Sequence, residues 1–524
     1  MKLTQKRLDE FSVQETTKPK EKEEETLPFT KILEEERQRR FEAPENLLPS
    51  YFVSATYDGK AGKAVIKLYE PVSGRIYFWY DNTGHKPYCY TNLSPLELEK
   101  IDHLVKHPGF DHIEIEEKYN PLLDRTVTVT KVVAKDPLAI GGRPKGCIRD
   151  IIPEESPKIV AVPAESVKVW EAKIKYYQSY IYDRGLLPGM VYEVKNGNLV
   201  QVFLDEAEKM VKQIVSTFKD VTAEELEYIE QWARLLEYPA PRFRYAAIDI
   251  EVQSPIPTRM PDPRVAEYPI VCVSVYSSDG QKRVLLLKRV GVREGTERLP
   301  ADVKMEFYDS EEALIKAVFG VLWDYPFIIT FNGDDFDLRY LAHRAEKFGF
   351  KRDKIPIELG KRVCLLKYGV HIDLYKFFFN RSIQIYAFNN RYRDVTLGDV
   401  GKALVGLDKI LLEKSIGELT YTELAKYCFR DAEIAYKLTS FDDELVLKLI
   451  LVLARISSMP MEDVSRQGVS RWIRNFMHRE HRRKGMLIPN AEDILALKGK
   501  TATKAIIKGK KYKGAIVVEP VPGV

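Results

Sequence analysis

Two acidic residues lie within an apolar segment, YAAIDIEV, whose residue types are those of a β-strand. Asp249 and Glu251 are two residues apart, so a strand points both carboxylates to one face and Ile248 and Ile250 to the other. Two acids on one face of a strand favour a divalent metal ion. Taken alone the pair is a weak signal, because an acidic pair at the end of a strand is more often solvated than catalytic.

The segment around this strand has the pattern of an α/β domain. From Arg244 to about Thr439, β-type runs (YAAIDIEV, YPIVCVSVY, KRVLLL, PFIITF) alternate with helical ones. The helical runs are SEEALIKAVFGVLW, RYLAHRAEKFG and YTELAKYCFRDAEIAYKL. The sequence therefore predicts an α/β domain over residues 241–440.

Two more acidic motifs occur in this domain. The segment NGDDFD, residues 332–337, follows the predicted strand PFIITF, so a glycine-containing turn brings acids to the start of a helix. By itself this segment is equally consistent with a helix cap. Tyr427 and Asp431 are four residues apart on a predicted helix and share one face, where they could equally form a surface contact.

Taken in order, the motifs D-x-E, N-x-x-x-F-D and Y-x-x-x-D resemble the three exonuclease motifs of family B DNA polymerases, of the archaeal, crenarchaeal-like kind. The likeness extends to HIDLYKFFFN, residues 371–380. The resemblance implies a ribonuclease H-like fold for residues 241–440. It also implies a proofreading 3′-5′ exonuclease, acting in DNA replication or repair, that releases nucleoside monophosphates.

The resemblance implies that four acids of these motifs are catalytic and bind metal: Asp249, Glu251, Asp337 and Asp431. Four carboxylates in one cleft repel one another and raise their own pKa values unless cations neutralise them. Hard oxygen ligands indicate Mg²⁺ or Mn²⁺, and a two-metal arrangement holds its ions about 3.5–4 Å apart. Tyr427, also catalytic, would orient the attacking water.

Two further residues of the second motif are implied to bind DNA. Asn332 and Phe336 would hold the frayed 3′ end, since an amide bonds to sugar or base edges and a ring stacks on unpaired bases. The alternative for Phe336 is a core position. Asp334 and Asp335 lie in the same turn, but the family pattern favours Asp337 as the metal-binding acid.

The first 48 residues are rich in charged and polar residues and predict a flexible tail. Within it, Gln5, Leu8 and Phe11 have the spacing Q-x-x-L-x-x-F, which resembles a sliding-clamp-binding peptide. Ser12 stands where a second aromatic residue is usual. A triplet of this kind also arises by chance in a charged tail.

Residues 49–240 alternate apolar and polar positions between turn signals, which predicts a β-rich N-terminal domain. Two helices are also predicted there, one in WEAKIKYYQSYIYDRGLLPG and one over Ala223–Leu236. The segments DNTGHKPYCY and YDRGLLPG resemble archaeal family B enzymes. That likeness implies a template-strand uracil pocket that includes Pro87 and Tyr88.

Residues 441–524 are predicted to be helical and basic, leading towards a palm domain. The basic runs at 471–484 and 498–513 either neutralise phosphates or form solvated helix faces. Tyr512, Gly514 and Ala515 belong to a Y-x-G-(G/A) element whose likeness implies contacts with primer or template. The small pair there permits close backbone approach.

Polymerisation in the family requires palm motifs like D-x-x-S-L-Y-P-S and D-T-D, and neither occurs in the sequence. We therefore expect either a shortened gene or one half of a split enzyme whose palm is on a second polypeptide. Two classes of function follow. The chain is an exonuclease active alone, or it is a DNA-binding scaffold that is inactive without its partner chain.

The composition of the chain limits the classes of protein to which it could belong. A chain of 524 residues with 45% hydrophobic residues predicts two to four folded domains. Its net charge of +4 is weak support for nucleic-acid binding. No apolar run reaches the roughly 20 residues of a membrane span, and no signal peptide is visible. The five cysteines are scattered, so neither disulfides nor a zinc site is expected. The absence of paired cysteines and of a signal peptide predicts a cytoplasmic location.

Overall fold

The computed structural model describes residues 42–143, 145–160, 162–203, 206–218, 220–254, 260–412 and 414–498. Within this set, the residues from Ala43 onward form one compact unit. The first strand begins at Leu47. The residues predicted to contact a sliding clamp or the primer and template lie outside the described part of the chain: Gln5, Leu8, Phe11, Tyr512, Gly514 and Ala515.

The first part of the described chain contains two antiparallel sheets, as the alternating segments predict. One sheet consists of β1 (Leu47–Asp58), β2 (Lys63–Glu70), β3 (Arg75–Tyr80), β8 (Val191–Lys195) and β9 (Asn198–Gln201), in the order β3-β2-β1-β8-β9. The other consists of β4 (Tyr88–Thr91), β5 (Phe110–Asn120), β6 (Arg125–Ala134) and β7 (Val169–Trp170), in the order β5-β6-β4-β7.

The helices of this part are α1 (Pro95–Glu99), α2 (Asp102–Val105), α3 (Pro137–Gly141), α4 (Ile148–Ile159), α5 (Tyr176–Asp183), α6 (Glu206–Thr217) and α7 (Ala223–Glu237). Helix α7 starts where predicted, because Thr222 and Glu225 form a capping box. The aromatic helix predicted from Trp170 onward is shorter than expected. Trp170 instead belongs to β7, where it pairs with Tyr90 of β4, and the helix begins only at Tyr176.

The second part has a mixed sheet at its centre. Its strands are β10 (Tyr245–Val252), β11 (Ile270–Ser277), β12 (Lys282–Leu287), β13 (Val303–Tyr308), β14 (Phe327–Thr330) and β17 (Val370–Asp373), in the order β13-β12-β11-β10-β14-β17. Strand β11 is antiparallel to both of its neighbours, whereas β14 is parallel to β10 and to β17. A separate hairpin pairs β15 (Ile357–Leu359) with β16 (Cys364–Leu366).

The helices after β13 are α8 (Glu311–Asp324), α9 (Asp337–Lys347), α10 (Leu374–Phe378), α11 (Leu397–Val405), α12 (Tyr421–Ser457), α13 (Met461–Arg466), α14 (Val469–Arg483) and α15 (Ala491–Lys498). Helix α12 is broken at residues 441–444, three of which have left-handed backbone angles. The alternation of strands and helices predicted for residues 241–440 is confirmed by these elements.

The central sheet packs between helices on both faces. Ile248 and Ile250 belong to the core formed with α8 and α9, which includes Leu314 and Leu341. The opposite face packs against the first half of α12, through residues such as Leu424. The predicted division of β10 into an apolar and an acidic face is therefore confirmed, and the acids lie on the face that α12 covers.

Two buried cations join segments that are distant in the sequence. The Lys67 ammonium of β2 donates to the carbonyls of Leu366 and Gly369, both at 2.7 Å. Arg455 of α12 is 1% exposed and donates to four carbonyls, those of Gly189, Leu235, Tyr238 and Pro239. Because main-chain oxygens supply every one of these contacts, the two cations act as cross-links between distant segments.

No helix in the described ranges is long and apolar enough to cross a bilayer. The five cysteines all lie within those ranges and are buried free thiols: Cys89, Cys147, Cys272, Cys364 and Cys428.

Candidate metal centre

The acidic pair of β10 lies beside helix α12. Asp249 is opposite Ser274 on β11, and Glu251 is opposite Cys272. Carboxylate oxygens of both acids and the Cys428 sulfur all lie within 4.8 Å of one another, and both acids are half-buried. The Cys428 sulfur is 3.3 Å from the Ser274 hydroxyl, and burial raises the pKa of its thiol well above the usual range. It therefore packs α12 on the sheet as a neutral thiol, and the carboxylates are the ligands suited to a hard cation.

The other two predicted acids come from different helices. Asp337 is the first residue of α9, and its Oδ1 accepts a hydrogen bond from the Ile250 amide at 3.2 Å. Asp431 is buried in α12, one turn beyond Tyr427. The structure thus brings together carboxylates from a strand and from two helices that are distant in sequence.

Burial is the main cause of the raised pKa values in this cluster. It raises the pKa of Asp249 and Glu251 well above their ordinary range, and the charges of Asp431 and Asp337 raise them further. Burial raises the pKa of Asp337 to about 7, although the Ile250 amide opposes the shift. The four acids therefore act on one another electrostatically, as the sequence predicted for carboxylates in one cleft.

Tyr427 is half-buried at the edge of the same cluster. Burial, followed by the charges of Glu251, Asp431 and Asp249, raises the pKa of its phenol far above the usual value. The hydroxyl therefore stays protonated and can donate a hydrogen bond at any physiological pH.

A cation that the sequence did not predict lies in the cluster. The Lys409 ammonium, from the loop between α11 and α12, is 2.6 Å from Asp431 Oδ2. Its charge lowers the pKa of Asp249, Glu251 and Asp431, and they in turn raise its own. Neither periodicity nor motif spacing marks this lysine. The only hint is that four neighbouring acids require positive charge.

Replacing Lys409 by Met is expected to destabilise the metal-free protein by about 1 kcal/mol, a value kept small because the lysine is partly exposed. Saturating Mn²⁺ should remove most of this difference, since a metal ion neutralises the same acids. Thermal unfolding in chelator and in Mn²⁺ measures both effects. The matched control is Lys402→Met, which removes an exposed ion pair with Asp408. If Lys409→Met loses the same stability in chelator and in Mn²⁺, the prediction is contradicted.

The residues present fit a hard divalent cation. The Asp431 Oδ1 atom is buried and has no hydrogen-bond partner in the structure. An unsatisfied carboxylate oxygen at this depth costs free energy unless a cation or water meets it. The nearby donors are carboxylate oxygens, the ligand type of Mg²⁺ and Mn²⁺.

Metal binding is expected to strengthen as pH rises. Because the pKa of Asp337 is raised to about 7, this acid is mostly protonated at pH 6 and mostly charged at pH 8. A metal ion competes with that proton, so Mn²⁺ affinity should rise by at least about tenfold over this range. Electron paramagnetic resonance of free Mn²⁺ gives the affinity. Asp337→Asn should make the dependence less steep, because one of the protons that compete with the metal ion is removed, and a flat wild-type profile would refute the prediction.

The turn between β14 and α9 carries the two residues predicted to hold DNA. Asn332 has a left-handed backbone, with φ of 74°, which asparagine tolerates better than most residues. The Phe336 ring is half-buried, packs against the core of the sheet and lies 5.6 Å from the Tyr340 ring. Phe336 therefore has a packing role in addition to any contact with a substrate.

The other acids of this turn do not face the cluster. Asp334 is fully buried and its carboxylate pairs with the Arg466 guanidinium at 2.7 Å. The hydrogen bonds from His371 and Arg466 outweigh burial and hold its pKa well below the ordinary value. Asp335 is exposed and lies 3.5 Å from Lys376. Sequence reasoning missed Arg466, because nothing in its surroundings indicates a partner in a turn so far away.

The predicted uracil-pocket residues lie elsewhere, beside a separate cavity. Pro87 is buried, and Tyr88 lines this cavity of about 850 Å³. Both Lys131 and Arg482 lie over the Tyr88 ring, at 4.7 and 5.0 Å from its centre. The Tyr88 hydroxyl donates to Asp183.

The family predicted from the three motifs is confirmed by comparison with known proteins. The sequence profile described as "DNA polymerase family B, exonuclease domain" matches residues 167–384. That match includes the first two motifs, and Tyr427 and Asp431 lie beyond it.

Similarity to curated proteins covers most of the chain. It is 41% identical over 484 residues to DNA polymerase 1 of Saccharolobus solfataricus, covering 92% of this chain and 52% of that protein. It is 42% identical to DNA polymerase 1 of Sulfurisphaera ohwakuensis, covering 99% and 57%, and 39% identical to that of Aeropyrum pernix, covering 90% and 48%. The chain thus spans about half the length of these relatives.

Among solved structures, the fold is similar to that of the family B DNA polymerase from Pyrobaculum calidifontis. The TM-score is 0.56 at 19% identity, over 84% of this chain and 51% of the other. Residues 167–384 therefore match the exonuclease domain of DNA polymerase family B, and the chain is similar to crenarchaeal DNA polymerase 1 over about nine-tenths of its length.

Proposed function

We propose that the chain is a metal-dependent 3′-5′ exonuclease that removes mismatched nucleotides from a DNA primer end during replication or repair. The observation that carries this proposal is the convergence of four carboxylates beside Tyr427: Asp249, Glu251, Asp337 and Asp431. The sheet supports it, since the order β12-β11-β10-β14-β17 with β11 antiparallel is that expected of a ribonuclease H-like domain.

The four acids would hold two Mg²⁺ or Mn²⁺ ions. When bound, such ions activate a water and stabilise the oxygen that leaves the scissile phosphate. The protein contributes the geometry: β10 fixes two acids on one sheet face, the Ile250 amide holds the Asp337 carboxylate, and α12 presents Asp431. Lys409 would limit repulsion among the acids before metal binds.

Tyr427 would orient the water that attacks the phosphate. Its phenol remains protonated, so it donates a hydrogen bond and leaves the removal of the water's proton to the carboxylates. Asn332 and Phe336 would hold the frayed 3′ nucleotide, by hydrogen bonding and by stacking. Stacking on one ring contributes about 1–3 kcal/mol for any base, which suits an enzyme that removes all four nucleotides.

The remaining assignments concern the whole enzyme. Polymerisation would need a palm domain that this sequence does not contain, supplied by a second polypeptide or by a longer gene product. We also propose contacts of Tyr512, Gly514 and Ala515 with primer or template, sliding-clamp binding through Gln5, Leu8 and Phe11, and action in the cytoplasm. Uracil sensing by Pro87 and Tyr88 stays a prediction.

A second candidate function is a DNA-binding scaffold that turns over only with a partner chain. The observation that favours it is coverage: the chain spans 52% of its Saccharolobus relative. In such a case the acids would be present but the 3′ end would be delivered by the partner chain. This function and autonomous exonuclease activity differ in what the purified chain does alone.

The experiment uses a 5′-labelled primer, either annealed with a matched or mismatched 3′ end or single-stranded, with Mg²⁺, Mn²⁺ or chelator. Deoxynucleotides are added in parallel reactions. Metal-dependent shortening from the 3′ end without extension is the expected result. DNA binding without shortening in any metal would overturn the proposal and favour the scaffold.

A further inference from the structure

The turn that carries Asn332, Phe336 and Asp337 is held from outside by buried side chains with no place among the metal ligands. The Asp373 carboxylate, at the end of β17 and fully buried, accepts hydrogen bonds from the amides of Asn332 at 2.8 Å and Asp334 at 3.1 Å. The two oxygens of this carboxylate therefore hold the turn at Asn332 and at Asp334. These two hydrogen bonds also hold the left-handed backbone of Asn332 in place.

A second support is the Asp334 side chain. Its carboxylate accepts a bond from the Cys364 amide at 2.7 Å and receives both the Nε and Nη2 atoms of Arg466, at 2.7 and 3.1 Å. Arg466 also contacts the Cys364 carbonyl at 3.2 Å and His371 at 2.9 Å. The planar guanidinium is thus used on several sides, which a lysine could not reproduce.

Arg466 reaches the turn from a distant part of the chain. It ends helix α13, beyond the segment 167–384 that matches the exonuclease family. The same helix contacts the first sheet, where the Ser54 hydroxyl donates to Glu462 at 2.6 Å. The position of the turn is therefore determined jointly by β17 and by a helix anchored on the N-terminal sheet.

We infer that Asp373 and the Arg466–Asp334 pair are positioning residues for the exonuclease reaction: they hold the turn so that Asn332 and Phe336 meet the 3′ end. This inference rests on the proposed function. Asp334 and Asp337 are acids of the same turn but have different roles. Asp337 faces the metal cluster, whereas Asp334 is a buried anchor for the turn itself.

The test compares steady-state hydrolysis of single-stranded DNA by two buried ion-pair variants of the full chain. The first replaces both anchor residues, Asp334→Asn with Arg466→Met, so that neither member of this pair is left as a buried charge without the other. The control replaces the pair Glu311→Gln with Arg344→Met, which is likewise buried, has two contacts of 2.7 Å and lies in the same domain. Thermal unfolding of both variants is measured in parallel.

We expect the anchor variant to raise KM by at least about tenfold and to lower kcat, because small misplacements of binding groups have large kinetic effects. The control should leave KM unchanged even if it lowers stability to the same degree. A loss of folded protein alone lowers kcat without moving KM, so KM is the informative quantity. Equal KM in the anchor variant and the wild type would overturn the inference.

A single substitution keeps the test decisive if the anchor variant does not fold. Asp373→Asn retains the shape of the side chain but places an NH₂ group against one of the two amides, so it should also raise KM, and unchanged KM would again overturn the inference. Wild-type protein that never shortens DNA would refute the proposed function instead. Active wild type with unaffected variants refutes only the positioning roles.

Discussion

Neutralising the strand acids by Asp249→Asn and Glu251→Gln is expected to lower exonuclease activity by at least about a thousandfold, equivalent to roughly 4 kcal/mol of transition-state stabilisation. The amides keep the shape of the carboxylates but bind hard cations weakly. The rate of primer shortening in Mg²⁺ measures the effect. Asp335→Asn is the matched control, since this acid is exposed on the neighbouring turn, and its activity should stay near wild type.

The same double variant should be more stable than wild type in chelator. A carboxyl whose pKa is raised by folding contributes most stability below its unfolded pKa, and this contribution is lost as pH rises through the folded value. For Asp337 that window runs from about 4 to about 7. Burial and the neighbouring acids raise the pKa of Asp249 and Glu251 in the folded protein, so folding disfavours their charged forms, and removing both carboxyls should raise Tm by about 2–4 °C at pH 8. A lower Tm would show that these acids stabilise the metal-free fold.

Replacing Arg455 by Met is expected to destabilise the protein by about 3–5 kcal/mol. The guanidinium is 1% exposed and is the donor for the Gly189, Leu235, Tyr238 and Pro239 carbonyls. Methionine fills a similar volume but donates nothing, so these oxygens would lose their buried donor. Chemical denaturation followed by circular dichroism measures the loss.

The control for this prediction is Arg471→Met on the exposed face of α14, where a change below about 0.5 kcal/mol is expected. If both variants unfold at the same denaturant concentration, the four carbonyls must find other donors. Desolvation lowers the pKa of the Arg455 guanidinium to about 10. It therefore remains charged at neutral pH, and the variant's deficit should not depend on pH between 6 and 8.

Local patterns predicted much of the second part of the fold and the acids of its site. Alternation of apolar runs gave the strands, and the two-residue spacing of Asp249 and Glu251 gave the face they share. The four-residue spacing of Tyr427 and Asp431 correctly placed them on one side of a helix. Capping boxes at Thr222 and Thr420 mark where α7 and α12 begin.

What the sequence could not predict depends on contacts between distant segments. Lys409 reaches Asp431 from a loop, and Arg466 reaches Asp334 across 132 residues, so no periodicity links the partners. The helix predicted from Trp170 onward begins later than expected for a related reason. Pairing with Tyr90 of β4 draws Trp170 into a strand, against the local helical pattern.

The buried ammonium of Lys67 limits how this chain can be recombined with its relatives. Its two acceptors are the carbonyls of Leu366, at the end of β16, and Gly369, in the loop before β17, whereas the lysine belongs to β2. A chimera that joins the N-terminal sheets of one protein to the exonuclease sheet of another must match this lysine to a loop of the same shape. Crossover points for domain exchange should therefore be chosen by buried main-chain acceptors as well as by sequence identity.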